Sequence, residues 1–482
     1  MFGSPLAPAL TGVPGTAYHV GAMKPPRNAL AAAVSLLFLA PLAHPQDSHY
    51  WTNQYGSRAT LLGGAVIGSV LDLSGTYYNP GGMCLVDKPQ TLMAANVFQF
   101  PRVTLTGTGP GSVALNRFNA GPAPILLAGT LRIRGLRDHW FGYSYVARQA
   151  VKLGISSTAA GVRDVLPDMP GAEDYGTQFK LDEGLSESWF GLTWSYKVSK
   201  HVGVGVTQYI AYRSQRAITQ ELVEALSQEN RLALAVGERQ YSYHHFRALW
   251  KIGLACDFQA ITLGFTLTSP SLAIGGRGST GVNSALSGLD MNGDGTPDDF
   301  LASDYRWRQP VTYETPFSLA AGMTLKIQKV RLYWSTEWFA RVRPYTVVDS
   351  PPFAAQSTGE ILSTDVTQEL AAVLNWGVGL EWFYSPRFKG YASFATDDSA
   401  KKPGTSTNIS LADWNIRHIV TGGEFFIKKS SVTVGVGFSF GGREIGGRPD
   451  ILARSGLEGV WDPFGSLRFR YNCYKLIVGF AI

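Results

Sequence analysis

Between Val330 and Arg343 the side chains alternate in character with a period of two. One set is Val330, Leu332, Trp334, Thr336, Trp338, Ala340 and Val342; the other is Arg331, Tyr333, Ser335, Glu337, Phe339, Arg341 and Arg343. Successive residues of a β-strand point to opposite faces, so such a segment has one face for an apolar medium and one for a polar one. The split recurs. Leu374, Trp376, Val378, Leu380 and Trp382 oppose Asn375, Gly377, Gly379 and Glu381, and Val432, Val434, Val436 and Phe438 oppose Ser431, Thr433, Gly435 and Gly437. A soluble sandwich also alternates, but its outer face carries far more charge than these Gly/Ser/Thr faces do. Only 16% of the chain is charged, and 54 of its 482 residues are glycine. The apolar faces are about as long as a tilted strand needs to cross a bilayer. The fold class expected is all-β: a transmembrane antiparallel β-barrel of about fourteen strands, an even number as in single-chain bacterial barrels.

The runs start near Thr91, Pro124, Asp138, Ser188, Val202, Tyr241, Ala260, Thr312, Val330, Ala371, Lys389, Asp413, Ser431 and Tyr474. Short turns, such as Ser199–His201 and Gln328–Lys329, follow the even-numbered strands, and long connections follow most odd ones. That pattern places the short turns and both chain ends in the periplasm, with Tyr196 and Tyr384 in an aromatic girdle there. The segment Ile218–Glu238 carries Leu222, Ala225, Leu226, Leu232 and Leu234 among Glu and Gln, a spacing that predicts a helix in the loop after the fifth strand.

Met23-Lys-Pro-Pro-Arg27 precedes an apolar run from Ala29 to Leu42. This is the charged-then-apolar order of a signal peptide, and the run is too short for a membrane anchor. Residues 1–22 are then an upstream extension. The three cysteines, Cys84, Cys256 and Cys473, are too widely spaced for a zinc site or a disulfide framework and act as small packing residues. A net charge of +6 without a basic stripe argues against nucleic acid. A barrel hydrolase needs Ser, His and a third polar group converging on one face. Ser242, His244 and His245 are close in sequence, but alternation divides them, so no enzyme is expected.

Asp290-Met-Asn-Gly-Asp-Gly-Thr-Pro-Asp-Asp299 places Asp290, Asn292, Asp294, the Thr296 carbonyl and Asp298 at the oxygen spacing of a calcium loop, with Gly295 at the sharp turn. Leu301 stands where such loops carry glutamate. Calcium is the one metal expected, in a structural role; no cofactor is required.

Tyr77-Tyr-Asn-Pro-Gly-Gly-Met83 is a strong turn signal just before the first strand. At this point the chain resembles the FadL-type long-chain fatty acid outer-membrane transporters, fourteen-stranded barrels plugged by an N-terminal hatch with an Asn-Pro-Ala turn. Tyr78, Asn79, Pro80, Gly82 and Met83 match that turn, Gly81 replaces its alanine, and the C-terminal Phe480-Ala481-Ile482 departs from the usual final aromatic. The resemblance implies three parts: residues 1–46 as extension and signal peptide, 47–90 as hatch, and 91–482 as barrel. Asn79, Pro80, Gly81 and Gly82 are the hatch motif. The implied function is passive transport of a hydrophobic small molecule, most simply a long-chain fatty acid, by a monomer in the bacterial outer membrane, in contact with its lipids. The substrate residues expected are Arg247, Lys251 and Arg341 for a carboxylate, with Phe339 and Phe383 for the tail. Relatives release substrate sideways near the third strand, where Gly142 permits a kink. A barrel serving protein docking, secretion or envelope assembly is the alternative, since fold does not fix function.

Overall fold

The computed structural model describes residues 48–69, 72–86, 92–107, 115–118, 121–122, 126–131, 133, 135–136, 138–163, 171–289, 296–402, 407–409, 414–427, 430–445 and 467–481. The proposed signal peptide and extension lie outside these residues. Among those described, no helix is long and apolar enough to cross a membrane.

Eighteen strand segments form one antiparallel sheet. They make fourteen staves, because three short segments together line β1 and two staves are each split in two. The staves are β1 (Leu92–Gly107), β2 (Leu115–Phe118, Gly121–Pro122 and Leu126–Leu131), β3 (His139–Arg163), β4 (Glu173–Lys197), β5 (Val202–Leu226), β6 (Leu232–Asp257) and β7 (Ile261–Thr268 and Leu272–Leu289). There follow β8 (Asp298–Pro310 and Ser318–Ile327), β9 (Val330–Phe339), β10 (Val373–Ser385), β11 (Phe388–Asp397), β12 (Ile416–Ile427), β13 (Ser430–Ile445) and β14 (Leu467–Ala481). Each pairs with its sequence neighbour, and β14 returns to β1 from Met93↔Ala481 to Gly107↔Leu467, closing the barrel. The β1–β14 pairing leaves no free edge at the two ends of the sheet.

The two faces separate as the alternation predicts. Trp334, Val378 and Val436 are exposed on the outside, while their neighbours Ser335, Gly379 and Gly435 face inward. Aromatic rings collect near the short turns: Tyr384 lies 6.3 Å from Phe388, which lies 4.8 Å from Phe425, and His139 lies 4.9 Å from Tyr196.

Two local expectations change. The segment from Ile218 to Glu238 is not helical: β5 and β6 pair without interruption to Leu226↔Leu232. Cross-strand pairing of the alternating residues outweighs the weak helical spacing, and the hairpin extends far past the length a bilayer requires. The alternation also stops at Phe339. Val342 is buried, and Arg341 and Arg343 are exposed, the reverse of the expected parity. Here the chain leaves the wall and turns into the barrel as a separate pair, Val342–Val348 with Val366–Leu370. Val347, Val348 and Val366 pack against the inward Tyr241 and Tyr243, filling the long-loop half of the interior.

Candidate functional site: the plugged lumen

Residues 48–69 and 72–86 run inside the staves. They hold two short helices, α1 (Ser57–Leu61) and α2 (Gly75–Tyr78), and a 3₁₀ turn, Pro80–Leu85. Asn79 caps that turn. Its side-chain oxygen accepts from the Gly81 N–H at 3.1 Å, and its Nδ2 donates to the Ile67 and Leu254 carbonyls, both at 3.0 Å. Pro80 stands at the first helical position, where no backbone N–H is needed. One buried amide therefore joins the turn, an earlier part of the same segment and the β6 wall. A carboxylate could accept but not donate, so asparagine suits the position and aspartate does not.

The wall opposite is made of glycine. A Cβ on Gly81 would stand 2.6 Å from the Gly253 carbonyl oxygen and 2.8 Å from that of Gly203. Alanine does not fit here, which accounts for glycine where the related turn carries alanine. The same close approach recurs around the barrel: Gly264 against Ile67, Gly322 against Gly68, Gly379 against Leu62, Gly479 against Ser57. Polar anchors complete the seat. Asp397 on β11 accepts from the Tyr50 and Trp51 N–H groups at 3.1 and 2.9 Å. Arg58 donates to both oxygens of the buried Glu381 at 2.8 Å.

Above the glycine seat the lumen is aromatic and carries buried charges of both signs. Glu187 accepts from Arg213 at 2.9 Å and from Arg247 at 2.6 Å, and both guanidiniums lie over the Tyr313 ring, at 4.0 and 4.8 Å. Two buried cations share one carboxylate. Arg148 adds another: it donates to the Tyr55 hydroxyl and the Tyr50 carbonyl and lies 5.4 Å from the Trp189 ring. Lys251 is buried, with Nζ 4.7 Å over Tyr77, and among the described residues it forms no ion pair. Tyr55, Tyr77, Trp189 and Tyr209 form a continuous aromatic lining, each ring within 6.2 Å of the next.

Of the expected substrate residues, Arg247 and Lys251 share the inner face of β6. Phe339 lies elsewhere, stacked on Tyr50 at 4.1 Å. Phe383 sits near the short turns under Arg331 and Lys389, at 4.7 and 4.9 Å. Arg341 is exposed and paired with Glu369 at 2.5 Å. These five do not form one cluster. Arg148, Glu187 and Trp189 are not among the expected site residues; Glu187 and Arg213 at inward positions of adjacent strands are the signal that the sequence offers for them. Asp290, Asn292 and Asp294 lie outside the described residues; Thr296 and Asp298 lie just before and at the start of β8.

No family model matches the chain, and no match is found among curated proteins. Solved structures do match. A Pseudomonas aeruginosa FadL homologue superposes with a TM-score of 0.55 at 12% identity, over 90% of this chain and 98% of that one. The fold is that of the FadL-type barrels. The P. putida toluene transporter TodX matches with a TM-score of 0.53 at 11% identity, over 89% of this chain and 98% of the other. On this FadL-type wall Gly142 makes no kink: it pairs regularly with Thr130 and Thr193. The irregularity is a bulge between Ala147 and Gln149, where Arg148 turns inward. Among the described residues, β2 pairs with β3 only from Leu126↔Val146 to Leu131↔Phe141, so beyond Val146 β3 has a partner in β4 alone.

Proposed function

We propose that the chain is a passive channel of the bacterial outer membrane for hydrophobic small molecules, most simply a long-chain fatty acid. The observation that carries this reading is the lumen itself: an aromatic lining that holds the buried Lys251, over a segment seated on glycines. An apolar tail needs a dry aromatic surface, and a carboxylate needs a cation that is not already matched. Lys251 suits that role better than Arg247, whose charge is shared with Glu187. Among the described residues β3 has a strand partner beyond Val146 in β4 alone, and this part of the wall, beside the Arg148 bulge, is where substrate leaves. No chemical energy is needed for downhill passage, and the chain acts as a monomer.

Uptake of labelled oleate and toluene by cells carrying the wild type, Lys251→Met or Asn79→Ala tests this. Wild type should raise oleate uptake above empty-vector cells. Lys251→Met should lower oleate uptake several-fold and leave toluene uptake unchanged. If wild type moves neither compound, the docking or assembly role takes precedence. If Asn79→Ala behaves as wild type, the hatch turn has no part in gating.

Calcium binding by the Asp290–Asp298 loop belongs to the same proposal, supported by its oxygen spacing. Calorimetric titration should give calcium heat with the wild type and none with Asp294→Ala; a silent wild type rejects the site.

A further inference from the structure

Outward-facing residues of β5 run Val202, Val204, Val206, Gln208, Ile210 and Tyr212 from the short-turn end, and then change to Ser214 and Arg216. On β6 the matching series is Leu254, Ile252, Trp250, Ala248 and Phe246, then His244 and Ser242. The first ten residues of such a stave rise roughly 25 Å when tilted, the height of the apolar band of an outer-membrane barrel. Tyr212 and Phe246, 4.8 Å apart, mark its upper border.

Directly above that border the outer surface holds a cavity of about 810 Å³ spanning β3 to β8. Its cations are Lys152, Arg216, Arg277 and Arg308, with His244 between them, and hydroxyls of Ser186, Ser214, Ser242 and Ser279 fill the intervals. These side chains point outward: Ser214 and Arg216 alternate with the buried Arg213, Gln215 and Ala217, and Ser242 and His244 with the buried Tyr241, Tyr243 and His245. Asp182, 3.8 Å from Arg216, makes the only ion pair to these four cations among the described residues. Four cations against one carboxylate, with hydroxyl donors between them, match a phosphate monoester. The exposed Trp307 stands at the rim, as aromatic side chains do at a membrane surface.

We propose that this cavity binds the phosphorylated headgroup of an outer-leaflet glycolipid of the lipid A type, whose acyl chains lie along the aromatic border below. The proposal rests on the membrane placement given above. Charge complementarity selects a phosphate, and continuity with the apolar band selects a lipid over a free anion.

Full-length protein is reconstituted in phosphatidylcholine nanodiscs and titrated with bisphosphorylated lipid A, with its dephosphorylated form, and with inorganic phosphate. Wild type and Arg216→Gln/Arg277→Gln are compared. Each cation near an anionic lipid surface is worth about fivefold in affinity, so the double variant should bind lipid A roughly thirtyfold more weakly. Removing the phosphates should weaken wild-type binding similarly, and millimolar inorganic phosphate should not displace the lipid. Equal binding by wild type and variant overturns the proposal. Displacement by inorganic phosphate also overturns it, by making the cavity a free-phosphate site. Cysteine at Trp334 or Val436, labelled from the lipid phase, separates the two readings. If those sites label as readily as cysteine at Ser335 and Gly435, the membrane placement itself fails. If only the outward sites label and lipid A binding is insensitive, only the headgroup proposal fails.

Discussion

Valine at Gly264 should open the barrel to ions. A Cβ there would stand 1.9 Å from the Ile67 carbonyl oxygen and 2.7 Å from Nδ2 of Asn79. Both are parts of the inner segment's own framework, and the Ile67 carbonyl is held by the hydrogen bond from Asn79. A backbone atom cannot rotate away as a flexible side-chain end can, so the segment must leave its seat. A fourteen-stave wall encloses a lumen wide enough for water once it is unfilled. Conductance in planar bilayers should rise by an order of magnitude or more over wild type, and residues 48–86 should become open to protease. Gly390→Val is the control, since a Cβ there meets nothing within 4 Å. A Gly264→Val barrel that is as closed and as protected as wild type would show that the plug tolerates displacement of its seat.

Glu187→Gln should cost about 3–5 kcal/mol of unfolding free energy, because it leaves two buried guanidiniums without their shared carboxylate. Glu187 also accepts from the Trp189 indole at 2.6 Å, so the change loosens the aromatic lining as well. Denaturant unfolding from liposomes measures the loss. Arg247→Met in the same background should recover part of it by removing the charge that Glu187 matched. Asp182→Asn, which disturbs a half-exposed pair, should cost no more than about 1 kcal/mol. Comparable losses for Glu187→Gln and Asp182→Asn would mean that water reaches Glu187 and that the lumen is wet.

The staves were legible because side-chain parity is a local property. Whether Trp334 or Ser335 meets the apolar medium is settled by which of two neighbours is which, and a shift of one residue would put the whole set on the wrong side. Closure followed from the number of staves. The reach of β3 to β6 past the membrane was less legible, because beyond Tyr212 and Phe246 the outer face turns polar and the apolar signal stops while the pairing continues.

What the inner face meets was not local. In the sequence Gly379 is one small residue opposite an apolar face, and Gly253, Gly264 and Gly322 give no sign of what they meet. In the structure the space of their missing side chains is filled by backbone and side-chain atoms of residues that lie more than a hundred positions earlier. A glycine carries the same letter whether it serves a turn, a bulge or a close approach, and only the path of the plug distinguishes these. The charges behave likewise. Lys251, Arg247 and Arg341 are equal in sequence, but their roles depend on whether a carboxylate reaches them: Glu187 reaches Arg247, Glu369 reaches Arg341, and Lys251 faces a tyrosine ring. Sequence by itself determined which side of the wall a residue occupies wherever the stave runs regularly, since that depends on nearest neighbours; at the Arg148 bulge and beyond Phe339 it did not. Tertiary structure alone decided which inward residues are covered, matched or left facing the lumen, since burial and ion pairing join segments that only the closed barrel brings together.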